Sequence, residues 1–163
     1  MNGPTVSVCI EIAAPIQRVW QFVSDITLMP GLSEELQSVE WVDGDAPGLG
    51  AQFRGTNTHP LVGTWTTQSC VVDFDPPQVF GWSVGNRDAP AATWRFDLTQ
   101  TGPATTVLRY TAVIGPGPSG VSMLIAREPH RREQIISNRL RAFERAMEAT
   151  VAGIKQLAES TAR

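Results

Sequence analysis

The chain is poor in the residues that metal centres, disulfide scaffolds and histidine chemistry require. Its 163 residues hold two cysteines, Cys9 and Cys70, and two histidines, His59 and His130. Two cysteines are too few for a disulfide framework or a cysteine-based zinc site. Neither histidine joins a three-ligand metal set, and neither has a sequence-evident partner for general acid/base work. No uninterrupted apolar run of about 18 residues occurs, so no membrane span is expected. Gly-x-Gly-x-x-Gly, Walker-type, Gly-x-Ser-x-Gly and His-Glu-x-x-His motifs are all missing, which sets aside the nucleotide, hydrolase and metalloprotease classes they mark. No metal or cofactor is expected.

Charge is also sparse. Charged residues make up 18% of the chain and the formal net charge is −3, so nothing draws it generally to nucleic acid or anionic membrane. The balance is uneven: residues 1–126 hold 5 Lys/Arg against 11 Asp/Glu, and residues 127–163 hold 8 against 5. Acidic residues interleave with the basic ones in that last segment, which reads as a solvated helix face. The first residues lack a basic segment followed by an apolar run, and the expected location is the cytoplasm.

What is present is a globular balance, 42% apolar, in a length that suits one domain over residues 1–163. A chain of this size buries about two-thirds of its unfolded surface and needs no staple. Val6, Val8, Ile10 and Ile12 alternate with Ser7, Cys9 and Glu11, the period of a half-buried strand. After Ala14-Pro15, residues Ile16, Val19, Trp20 and Val23 step at helical spacing. They predict a short amphipathic helix over 15–24 with Pro15 in its first turn. Pro30-Gly31 leaves room for one more short turn around 26–36.

From about 37 to 114 the period stays at two. Strands are predicted around Val39 and Trp41, around Phe53 to Asn57, over 64–74, around Phe80 to Val84, around Trp94 to Leu98 and over 105–113. Turns rich in Gly, Pro, Asp and Asn separate them. His59-Pro60 to Gly63 reads as one such turn. Strands joined this closely form an antiparallel meander, because parallel pairs need helical crossovers. Gly115–Gly120 alternates glycine with proline; it cannot continue a strand or cradle a phosphate, and reads as a loop able to act as a lid. Ile136, Leu140, Phe143, Met147, Val151, Ile154 and Ala158 then form a continuous helical stripe. A helix over 129–159 would be about 45 Å long. A one-faced sheet and one long amphipathic helix pack by curling the sheet around the helix. The expected fold is α+β, a seven-stranded curved antiparallel sheet around a long C-terminal helix. Two short helices follow the first strand.

Several pieces, taken in order, resemble the polyketide cyclase/dehydrase group of the START-like (Bet v 1-like, helix-grip) superfamily. They are Ala14-Pro15-Ile16-Gln17-Arg18-Val19-Trp20, Val23-Ser24-Asp25, Met29-Pro30 with Ser33-Glu34-Glu35, and Val39-Glu40-Trp41. Gly50-Ala51-Gln52-Phe53-Arg54-Gly55, Phe80-Gly81-Trp82 and Thr93-Trp94-Arg95-Phe96 complete the set. The chain carries Pro30-Gly31-Leu32 where the family has Pro-x-Trp. The resemblance implies a cavity between sheet and long helix for a lipid, polyketide or other hydrophobic small molecule.

On the residues themselves, Trp41, Phe53, Trp65, Phe80, Trp82, Trp94 and Phe96 fall on the strand faces assigned to the concave side. Phe143 and Met147 face them from the helix. These rings are expected both to form core and to line a pocket. Asn57 and Thr67 share that face, and a polar group there needs a partner. Glu35 near the expected mouth and Tyr110 on the last strand complete the candidates for moving a proton or placing a ligand. Binding of a hydrophobic molecule is the leading expectation and a polyketide cyclase, aromatase or dehydratase the alternative. A third reading is an interaction module using Arg127–Arg145. Self-association as a homodimer is left open, and nucleic acid is not an expected partner.

Overall fold

The computed structural model describes residues 3–32, 36–42, 46–60, 63–86 and 88–160. Its first strand, β1 (Thr5–Ile12), leads into helix α1 (Ile16–Val23), a single 3-10 turn (Ile26–Leu28) and the one-turn helix α2 (Met29–Leu32). Six strands follow: β2 (Leu36–Trp41), β3 (Gln52–His59), β4 (Gly63–Asp75), β5 (Val79–Gly85), β6 (Pro90–Gly102) and β7 (Thr105–Ile114). Helix α3 (Gly120–Arg127), a 3-10 turn (Pro129–Arg131) and the long helix α4 (Arg132–Ser160) end the chain. The sheet order is β1-β7-β6-β5-β4-β3-β2, and every pairing is antiparallel. This is the helix-grip architecture expected from the sequence. Pro15 sits one position earlier than predicted, as the extended N-cap of α1 with φ −66° and ψ 154°.

Register puts the alternating apolar residues on one face. Trp41 lies opposite Phe53, Phe53 opposite Ser69, Val71 opposite Trp82, Trp82 opposite Trp94, and Phe96 opposite Tyr110. A bulge between Val71 and Asp73 shifts β4 by one residue, so Phe74 rather than Asp73 joins Phe80 on the concave face. On the convex side, Arg95 pairs with Asp97 at 2.9 Å and Asp73 at 3.7 Å across Gly81. A Cβ on Gly81 would meet the Asp73 side chain at 3.3 Å, so glycine leaves room for that ion pair.

The helices divide the concave face unequally. Helix α1 closes one end, where Trp20 meets Phe74 and Phe80 edge-on at 5.7 and 6.2 Å. Ile12, Val19, Val23, Val71, Phe80, Phe96, Leu108 and Ile154 are sealed there. Helix α4 runs along β1 and touches β7, and it does not approach β3, β4 or β5 comparably among the described residues. Its last turns are tied to β1: Lys155 donates to the Glu11 carbonyl at 2.9 Å, and the Ala13 N–H donates to Glu159 at 2.8 Å. Lys155, 2.6 Å away, and that N–H hold the Glu159 carboxyl below its usual range. Of the predicted helical stripe, Phe143, Met147, Val151, Ile154 and Ala158 are buried, whereas Ile136 and Leu140 are half-exposed. They line an open groove of about 500 Å³ between the start of β1 and the first half of α4.

The Gly-Pro segment after β7 is pinned rather than free. The N–H groups of Gly115 and Gly117 donate to the carbonyls of Ala91 and Pro90, each at 2.8 Å. A Cβ on Gly117 would fall 1.7 Å from the Ala89 carbonyl oxygen. A lid movement would therefore have to begin beyond Gly117.

Candidate functional site

The concave face changes character along its length. Beyond the sealed end, Trp41, Trp65, Val84, Ala92 and Trp94 are only half-buried, as are Asn57 and Thr67. The rings form a continuous chain. Trp41 meets Phe53 at 5.5 Å, Phe53 meets Trp82 at 5.8 Å, and Trp82 meets Phe96 at 6.0 Å. Phe143 reaches across from α4 to Trp94, with centroids 4.8 Å apart. The Arg139 guanidinium lies 4.6 Å above the other partner of that contact, the Phe143 ring, where the π-cloud attracts it.

The expected ligand-binding residues thus fall into two groups. Phe53, Phe80, Trp82, Phe96, Phe143 and Met147 are buried and hold the interior together. Trp41, Trp65, Trp94, Asn57 and Thr67 stand where the face opens. Asn57 donates to the Thr67 hydroxyl at 3.3 Å, so each satisfies part of the other's need. Gly55 lies opposite Thr67. A Cβ there would come within 3.4 Å of the Thr67 hydroxyl and 3.0 Å of Leu36, so glycine keeps this part of the face shallow. Glu35 lies outside the described residues. His59 ends β3 instead of lying in a turn, its side chain outside what is described, and His130 is exposed in the 3-10 turn before α4.

Tyr110 is the chain's single tyrosine and is 5% exposed. Its ring stacks on Phe96 at 4.0 Å with planes 9° apart, and meets Trp94 at 5.6 Å and Trp82 at 6.4 Å. Burial among these rings pushes its phenol far above the usual value of 10. Folding therefore favours the protonated phenol. Any stability lost through this group is lost as pH rises beyond 10, and none is lost below it. Because no other tyrosine contributes, ultraviolet titration at 295 nm reads Tyr110 alone. The native protein is expected to show no phenolate absorbance through pH 11, with the rise arriving only together with unfolding. An ordinary titration near pH 10 in the folded state would show the ring to be hydrated.

Sequence reading missed two contributors. Phe74 is brought in by the β4 bulge, which only strand pairing reveals. Arg139 precedes Phe143 by one helical turn, but a search for apolar periodicity passes over it. Among the described residues no group of three His, Cys, Asp or Glu side chains is placed to hold a metal, and no helix is long and apolar enough to cross a membrane. A second open recess, of about 600 Å³, lies at the sealed end between Ile16, the β4–β5 turn and β6.

Residues 4–159 match the family described as polyketide cyclase / dehydrase and lipid transport. Among solved structures, the polyketide-cyclase-like protein of Corynebacterium glutamicum is 31% identical over 97% of this chain and 93% of its own, with a TM-score of 0.67. The Zhui aromatase/cyclase of Streptomyces sp. R1128 is 18% identical over 99% of this chain and 97% of its own, with a TM-score of 0.71. The di-domain ARO/CYC protein BexL of the BE-7585A biosynthetic pathway is 22% identical over 96% of this chain and 51% of its own, with a TM-score of 0.64. The last two likenesses speak to fold. No curated protein matches the chain.

Proposed function

Because this chain belongs to the polyketide cyclase/dehydrase and lipid transport family, we propose that it holds a hydrophobic small molecule, lipid- or polyketide-like, between its sheet and α4. The observation that carries this reading is the gradient of burial along one aromatic face. The face is sealed where α1 covers it and half-open at Trp65, Trp94, Asn57 and Thr67, with Phe143 above Trp94. Open apolar surface beside a packed core is costly in water and is relieved by an apolar ligand. A few polar groups at its margin would fix the ligand's orientation.

Tryptophan emission tests it. Polycyclic aromatics and lipids that occupy the face are expected to quench or shift the emission. They should also raise the melting temperature in proportion to occupancy. A broad panel that changes neither would remove the reading.

The cyclase reading has its own support, the Asn57–Thr67 pair on the same face as the Tyr110 hydroxyl. An enclosing wall that folds a flexible chain into a reactive conformer accelerates ring closure by proximity, and a hydroxyl or amide could stabilise an enolate. Turnover that falls in Asn57, Thr67 or Tyr110 variants while binding is kept would favour it. The interaction reading gains less. Within Arg127–Arg145, Arg131 pairs with Glu128, Arg139 covers Phe143 and Arg141 is held by Ser137 and Asn138.

A further inference from the structure

Helix α4 covers the edge of the sheet along only part of its length. Strand β1 ends the sheet on one side, and an open strand edge is ordinarily covered or blunted. The last turns of α4 cover the end of β1, through Lys155 to the Glu11 carbonyl and the Ala13 N–H to Glu159. The start of the strand has no such tie to α4 among the described residues. There the two elements part to leave the groove of about 500 Å³. Val6, Ile136 and Leu140 are its apolar lining, each half-exposed. Four charges rim it: Arg132, Glu133, Arg141 and Glu144. All four are exposed, and none makes an ion pair among the described residues. Arg141 instead donates to Ser137 and Asn138 of its own helix, which hold it along the rim.

We propose that this groove is a self-association surface, where a second copy of the chain docks its own α4 antiparallel against the first. The order of the charges carries the proposal. Along α4 the rim runs positive, negative, apolar, apolar, positive, negative, from Arg132 to Glu144, at spacings that keep these residues on one side of the helix. Reversing the direction inverts every sign. A twofold axis beside Ser137 and Asn138 therefore sets Glu133 opposite the partner's Arg141 and Arg132 opposite the partner's Glu144. Ile136 then meets the partner's Leu140. A twofold contact makes each of these pairings twice, and a parallel copy would oppose like charges instead. Other occupants fit less well. A membrane or nucleic acid of one sign would meet two charges of the wrong sign, and a small apolar molecule would leave all four unanswered. The surface uses both signs of charge rather than the basic stretch as a whole, and the ligand reading neither requires it nor is required by it.

Sedimentation equilibrium of the whole chain tests it at about 5 to 500 µM, the range in which an interface of modest size associates. The intact protein is expected to move from 17.7 kDa toward twice that mass as concentration rises. Glu133→Arg and Arg141→Glu each turn two attractions into two repulsions, and each is expected to weaken association about tenfold or more. The double variant restores opposite signs and should return to within about threefold of the intact protein. An equimolar mixture of the two single variants should form a heterodimer, because each presents the sign that the other lacks. An intact chain that stays at 17.7 kDa throughout would overturn the proposal. So would association that the single variants leave unchanged, or that either the double variant or the mixture fails to restore.

Discussion

Phe96→Ala is expected to lower unfolding stability by about 3–5 kcal/mol, the range for deleting a fully buried aromatic ring. Phe96 has no exposed surface, stacks on Tyr110 at 4.0 Å and meets Trp82 at 6.0 Å. It stands on β6 between β5 and β7, so both neighbouring strands pack on the ring. Its removal leaves a cavity that two-dimensional pairing on either side prevents from collapsing. Urea denaturation should show an earlier midpoint with an unchanged slope. A loss below about 1 kcal/mol would mean that the interior tolerates a hole at its centre and is looser than a packed core.

The second large effect is on binding. Trp94→Ala is expected to weaken binding of an apolar ligand by about 30-fold, as truncating a central aromatic costs roughly 2 kcal/mol of binding free energy. Its stability cost should be smaller than that of Phe96→Ala, because Trp94 is only half-buried and gives up less surface on folding. The two substitutions lie two residues apart on β6 and point to the same face, yet they should separate cleanly in what they damage. Leu49→Ala serves as the control, since Leu49 is 72% exposed and should leave affinity unchanged. Equal loss of binding in Leu49→Ala and Trp94→Ala would show that the readout follows something other than the aromatic face.

The extent to which this was readable from the chain depends on what sets each feature. The faces of Phe53, Trp82, Trp94 and Phe96 follow from a period of two, and the interior stripe from Phe143 to Ala158 follows from helical spacing. Both are local regularities that the backbone imposes. Phe74 escaped because a bulge changes which side of β4 faces inward, and that shift exists only relative to β5. Ile136 and Leu140 continue the stripe but stay half-exposed, because periodicity reports which side of a helix is apolar and not how far it stays against the sheet. The site was less legible than the fold for a related reason. Which aromatic rings are sealed and which are half-open depends on where α1 and α4 lie over the sheet, a long-range relation with no sequence period. Asn57 and Thr67 were recognised as polar residues on an apolar face, but their mutual bond depends on the β3–β4 register. Glu35 falls outside the described residues.

A crystal structure of the protein saturated with 9-fluorenone tests the central claim most directly. The molecule should lie between the concave face of the sheet and α4, in van der Waals contact with Trp94 and Phe143 and near Trp65. Density instead in the groove beside β1, against Val6, Ile136 and Leu140, or a wide end closed by its own side chains with no ligand, would contradict it.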